Sequence, residues 1–153
     1  MKENLQKILQ ARVYEVAKET PLEKANILSK RFNNNIFLKR EDLQEVFSFK
    51  IRGAFNKMRN LSREKLNKGV ITSSAGNHAQ GVALSALKLK SKATILMPIT
   101  TPLVKIKAVR ELQAEVILFG ENYDESYLEA LRLSEERDLT FIHPFDDIEV
   151  IAG

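Results

Sequence analysis

Residues 70–89 read V-I-T-S-S-A-G-N-H-A-Q-G-V-A-L-S-A-L-K-L, and this stretch decides the fold. Val70, Ile71 and Thr72 form a β-branched run of the kind a buried strand uses. Ser73 to Asn77 is a loop of small and polar residues, and the spacing predicts a largely apolar helix over 78–89. Small side chains let a ligand approach the backbone, and a helix N-terminus presents unpaired N–H groups to an anion. Anion binding is therefore the physical reading of this loop. Two nucleotide loops are excluded. Gly76 and Gly81 have the spacing of half a P-loop, but Val82 and Ala83 stand where Lys and Ser or Thr are required. No G-x-G-x-x-G occurs in the chain, so the dinucleotide fingerprint is absent as well.

Downstream the same rhythm continues. Strands are predicted at 93–97, 115–119 (ending at Gly120) and 140–143, with helices at 102–112 and 124–137. Thr101 and Pro102 make a cap and first-turn pair for the first of these helices. Strands that recur every 22 to 25 residues with one helix between them specify a parallel sheet with right-handed crossovers. The expectation is a small α/β domain with four parallel strands and covering helices. Ligands in such sheets sit beyond the carboxyl ends of the strands, where the 73–77 loop lies.

Upstream, the pattern predicts a helix over 49–60 and a second short helix from Arg63. Leu5, Ile8, Leu9, Val13 and Val16 fall at helical spacing, giving one or two helical segments within 2–18 that stop before Pro21. A short helix over 25–32 ends at the Asn33–Asn35 turn, a strand follows at 36–39, and 40–47 is a charged, irregular connection. Residues 1–47 do not complete a core of their own.

Ser48-Phe49-Lys50-Ile51-Arg52-Gly53-Ala54 is the second informative stretch. Ser48 can cap a helix that starts at Phe49, which puts Lys50 in its first turn. The helix dipole disfavours a cation there, and an amine attacks a carbonyl only when neutral. A single lysine on a helix is ordinarily a solvated charge; its pairing with the S-S-A-G-N-H loop gives it weight.

These two motifs together resemble the pyridoxal-phosphate enzymes of the tryptophan synthase β-like fold, type II, and within them the threonine and serine dehydratases. T-P-L at 20–22, L-K-R-E-D at 38–42, M-P at 97–98, H-P-F at 143–145 and V-I-A-G at 150–153 resemble the same enzymes. Cysteine synthases usually carry Thr where this chain has His78, which argues against that branch. The resemblance implies a pyridoxal 5'-phosphate cofactor held covalently by Lys50, the lysine then serving as acid and base at the substrate Cα. It implies that Asn77 hydrogen-bonds the cofactor's 3′ oxygen, and that Ser73, Ser74, Ala75, Gly76 and Asn77 receive the substrate carboxylate. His78 joins this substrate-side set, although a lone His at a helix start is more often a structural hydrogen-bonder. His143, and the carboxylates Glu41 and Asp42, read as structural.

The resemblance also implies a domain plan. Residues 1–47 belong to a larger domain, 48–145 form the small α/β domain, and 146–153 begin the return to the larger one. The family's glycine-rich phosphate loop and the Ser or Cys against the pyridine nitrogen lie further downstream than Gly153. The chain is accordingly expected to be the N-terminal part of an L-threonine ammonia-lyase, making 2-oxobutanoate and ammonia on the isoleucine route, and to be inactive by itself. A serine dehydratase, a serine racemase and a non-catalytic fold fragment are the alternatives. The implied partners are an amino-acid substrate and, in the intact enzyme, further copies of the same subunit.

Composition agrees with a globular protein: 44% of the 153 residues are hydrophobic and 29% charged. The absence of cysteine excludes disulfides, thiolate metal sites and a thiol nucleophile, and suits the reducing cytoplasm. No apolar run has transmembrane length and no signal-peptide core opens the chain, so no membrane partner is expected. The net charge of +4 does not make a nucleic-acid patch. Lys57, Arg59, Arg63, Lys65 and Lys68 alternate with apolar helical positions and have few aromatic neighbours.

Overall fold

The computed structural model describes residues 2–153, with side chains from Asn4 onward; Met1, the first residue of the 1–47 segment, lies outside the described residues. The chain opens with α1 (Lys2–Gln10) and a short 3-10 turn at Val13–Glu15, the two segments expected within 2–18. An antiparallel pair follows, β1 (Leu22–Lys24) and β2 (Phe37–Lys39), connected through α2 (Asn26–Arg31). All six strand residues of this pair are exposed, so it has no core face.

From α3 (Lys50–Arg59) and α4 (Arg63–Lys68) the chain enters the α/β region. There β3 (Val70–Ser73), α5 (Asn77–Leu89), β4 (Ala93–Met97), α6 (Leu103–Glu111), β5 (Glu115–Leu118), α7 (Tyr123–Glu136) and β6 (Thr140–Phe141) alternate. The four strands form one parallel sheet in the spatial order β5-β4-β3-β6, with Thr72 opposite Ile95 and Ile95 opposite Val116. Every residue of β3 and β4 is buried, as central strands covered on both faces require. Alternation divides them. Val70, Ile95 and Met97 pack with Val82, Ala83, Met58 and Val109, whereas Ile71 and Leu96 pack with Ala130 and Leu133 of α7. The final helix, α8 (Ile148–Ala152), lies across α3.

Several local expectations are corrected. Ser48 does not cap α3: the helix begins one residue after Phe49, no side chain caps it, and the buried Ser48 hydroxyl has no partner. Thr101 does not cap α6 either; Pro102 takes the N-cap position and the buried Thr101 hydroxyl is unpartnered. The last strand ends at Phe141 rather than His143: the Ile142 N–H still donates to the Ile71 carbonyl of β3, but the residues after it leave the sheet and the Pro144 carbonyl meets Lys50 of α3. Both failed caps sit where neighbouring elements, not a local hydrogen bond, fix the start of the helix.

Candidate functional site

Lys50 is the first residue of α3, and the chain turns sharply to reach it. Phe47 adopts a left-handed φ of 57°, a costly conformation for a bulky residue and one that clusters at functional sites. Two neighbours then locate the helix start. Gly81 of α5 approaches so closely that a Cβ there would lie 3.0 Å from the carbonyl carbon and oxygen of Lys50. On another side, a Cβ on Gly53 would lie 2.5 Å from the Val150 carbonyl oxygen of α8. The half-buried Lys50 side chain donates from Nζ to the Pro144 carbonyl at 2.6 Å, and Nζ sits 5.5 Å from the centre of the Phe49 ring.

The loop between β3 and α5 lies at the carboxyl end of the sheet, beside this lysine. Ser74 N–H continues the ladder to the Leu96 carbonyl, and Gly76 N–H donates to the Ser74 hydroxyl. The N–H groups of Ala75, Asn77, His78 and Ala79 have no acceptor among the described residues. They stand at the positive end of a 13-residue helix. Ser73 is fully buried, and its hydroxyl has no partner. Gly76 has nothing within 4 Å of where a Cβ would be, so space opens over the loop. Asn77 is exposed at the mouth.

His78 points inward. It is 3% exposed, and its Nε2 lies 3.1 Å from the Ile142 carbonyl, which also accepts from Thr72 Oγ1 at 2.8 Å. A carbonyl only accepts, so Nε2 carries the hydrogen and Nδ1 is bare; that Nδ1 is buried without a partner. Burial pushes the His78 pKa down to about 4, the hydrogen bond to Ile142 opposing the fall and the Lys50 charge adding to it. His143 is structural: its Nδ1 accepts the N–H groups of Phe145 and Asp146, fixing the turn that presents the Pro144 carbonyl. Glu41 is structural too. It takes a two-pronged ion pair from Arg52 of α3, and that pair holds its carboxyl down at about 2. The exposed Asp42 pairs with Arg40.

A cavity of about 330 Å³ adjoins the lysine, lined by Phe49, Lys50, Pro144, Phe145 and Ile151 among others. A larger cleft, about 680 Å³, opens at the opposite end of the sheet beside Lys92, Thr94 and Glu115. Size does not mark the chemistry here: the smaller cavity is the one that holds the lysine, while the larger cleft lies at the far end of the sheet. The structure packs the helix that starts at Lys50 against the helix that follows the loop. The sequence did not bring out the Pro144 carbonyl or the close approach of Gly81. A glycine inside an otherwise apolar helical run was the available signal for the second.

The lysine-bearing helix is thus docked on α5, whose unpartnered first-turn N–H groups stand at the carboxyl end of a parallel sheet. Residues 13–153 match the family described as "Pyridoxal-phosphate dependent enzyme", and the chain belongs to that family. It is 59% identical to the biosynthetic L-threonine dehydratase IlvA of Burkholderia multivorans, over 97% of this chain and 30% of that protein. It is 57% identical to the biosynthetic, chloroplastic threonine dehydratase of Arabidopsis thaliana, over 99% of this chain and 26% of that protein. Its fold superposes with a TM-score of 0.95 on the processed form of threonine deaminase isoform 2 from Solanum lycopersicum, at 56% identity over 99% of this chain and 42% of that one. The chain thus spans less than a third of the length of these curated relatives. Among the described residues, no helix is long and apolar enough to cross a membrane.

Proposed function

We propose that this chain carries the lysine-bearing part of a pyridoxal-phosphate-dependent L-threonine ammonia-lyase. The reaction removes water and then, by hydrolysis, ammonia from L-threonine, leaving 2-oxobutanoate as the biosynthetic enzyme of the isoleucine route does. The observation that carries the reading is the docking of α5 at Gly81 on the Lys50 backbone, which sets the lysine against the helix whose Ala75, Asn77, His78 and Ala79 N–H groups lack acceptors among the described residues. These residues fit the cofactor and its substrate: a primary amine for an aldehyde, an exposed amide for a ring oxygen, and a cradle for a carboxylate.

In this reading Lys50 holds the cofactor covalently and afterwards takes the proton from the substrate Cα. Asn77 orients the ring. The backbone of Ser73 to Asn77 fixes the carboxylate, so that the Cα–H bond stays within reach of the amine. His78, buried against Ile142, serves the substrate side by holding the first turn of α5 in place. When bound, the cofactor supplies an electron sink for the charge left at Cα.

The reading also takes residues 48–145 as the small domain and assigns 1–47 and 146–153 to a larger one. The packing of α1 on α8, with Lys7 paired to Glu149, supports grouping these two segments. Exposed Leu22, Ile27, Phe37 and Leu38 support a further covering surface in the whole protein. Self-assembly of the intact enzyme and a cytoplasmic location complete the proposal; sedimentation and cell fractionation are their direct checks. The central test is borohydride reduction of the cofactor-loaded intact enzyme, followed by peptide mapping. The label is expected on Lys50, and a label on any other lysine overturns the assignment. Product analysis separates 2-oxobutanoate from the pyruvate or D-serine of a serine-directed enzyme.

A further inference from the structure

We propose that Gly81 is a positioning residue that sets the distance between the Lys50 amine and Asn77, an inference that rests on the cofactor-holding roles proposed for those two residues. Asn77, Gly81 and Ser85 are spaced by four residues and so lie on one face of α5. Gly81 is where that face meets α3. A Cβ at this position would stand 3.0 Å from the carbonyl carbon and oxygen of Lys50 and 3.2 Å from the amide nitrogen of Ile51. These are backbone atoms, so no side chain can swing aside to relieve the contact. Ser85, fully buried, spends its hydroxyl on the Gly81 carbonyl of its own helix at 2.7 Å, which holds the α5 side of the contact rigid.

The geometry runs directly into the site. Asn77 lies one helical turn, about 5.4 Å, from Gly81 toward the loop. Lys50 is held against Gly81 by its own peptide, with its amine tethered to the Pro144 carbonyl at 2.6 Å. α3 cannot retreat freely, because α8 presses on its other side at Gly53 and Gly153. A methyl group at position 81 therefore moves the first turn of α3 by a few tenths of an ångström relative to the loop. A glycine in mid-helix gives up helix propensity relative to alanine, and here the close approach explains why it stands there.

The test uses the intact enzyme in five forms: wild type, Gly81→Ala, Ile51→Val, Gly81→Ala with Ile51→Val, and Val109→Ala. Val109 is buried in the core between α6 and the sheet, so its truncation controls for loss of stability alone. Since a misplacement of 1 Å costs about a hundredfold, Gly81→Ala is expected to lower kcat roughly 3- to 10-fold at saturating cofactor. KM should stay within about twofold, because the carboxylate cradle is untouched. Two readouts do not depend on turnover: the dissociation constant of the cofactor should rise, and the visible band of the bound cofactor should shift. Trimming Ile51 gives the Lys50–Ile51 peptide room and should recover most of the loss. Should Gly81→Ala not fold, the double variant measured against Ile51→Val carries the comparison, with a residual rise in cofactor dissociation constant expected. A wild-type spectrum, cofactor affinity and kcat in Gly81→Ala would overturn the proposal. So would matching losses in Val109→Ala. Failure of the wild-type enzyme to trap cofactor on Lys50 would instead refute the underlying roles, and is read separately.

Discussion

Between pH 6.5 and pH 4 the buried imidazole of His78 converts protonation into a loss of stability. In the unfolded chain the ring titrates near 6.5; in the folded protein burial delays protonation to about 4. Within that window the unfolded state binds a proton that the folded state refuses. Stability therefore falls as the pH falls, by about 1.4 kcal/mol for each pH unit. Over the whole interval the loss amounts to about 3 kcal/mol, a substantial part of the 5–15 kcal/mol that holds an ordinary domain together. The geometry accounts for the refusal. A second proton has to go to Nδ1, which is buried with no acceptor, while Nε2–H is already committed to the Ile142 carbonyl. His78→Gln keeps a donor at the Nε2 position and removes the titration. Urea unfolding of both proteins at pH 7, 5.5 and 4.5 provides the assay. The difference between them should shift in favour of the variant by roughly 2–3 kcal/mol across that range. A difference that stays constant from pH 7 to 4.5 would refute the reasoning.

Two further perturbations follow from the same geometry. Glu41→Gln removes a carboxylate whose side chain is 15% exposed and which Arg52 holds down at about 2. At neutral pH the change should cost about 2–3 kcal/mol, and this cost should shrink as the pH falls from about 4.5 toward 2, where the native carboxyl is neutralised too; a cost independent of pH in denaturation experiments would count against the pair. Gly76→Val should leave the melting temperature nearly unchanged, since a Cβ there meets nothing, while raising KM and lowering kcat of the intact enzyme by crowding the loop. Unaltered kinetics would mean that the loop is only a turn.

The sheet was legible because β3 and β4 are buried on both faces, and burial of that kind leaves an unbroken β-branched and apolar run in the sequence. The loop was legible for a related reason: few other uses require Ser-Ser-Ala-Gly-Asn between a strand and a helix. By contrast, β1 left no trace. Leu22–Lys24 is three residues long and wholly exposed, so no alternation records it. The caps assigned to Ser48 and Thr101 failed because local propensity was outweighed by tertiary placement. The helix at Ile148–Ala152 was not read from the sequence; it is only five residues long, and its cap is the Asp147 carboxylate, which accepts from the Glu149 N–H. The contact of Lys50 with Pro144 joins residues 94 positions apart. Spacing along a chain carries no record of such a meeting.

The docking of α8 on α3 bears on how the protein is made. A ribosome releases Gly53 nearly a hundred residues before Val150, the residue that closes over it. β6 likewise pairs with β3 only after some seventy further residues have been added. At bacterial or eukaryotic elongation rates of about 5–20 residues per second, the lysine-bearing helix spends roughly 5 to 20 seconds emerged and uncovered. During that interval the face of α3 that α8 covers, at Gly53 and Asn56, meets water or a chaperone, whereas Ile51, Ala54 and Met58 wait only for α5. Nascent-chain proteolysis should therefore cut near α3 until residues 148–152 leave the exit tunnel, and slow once they have.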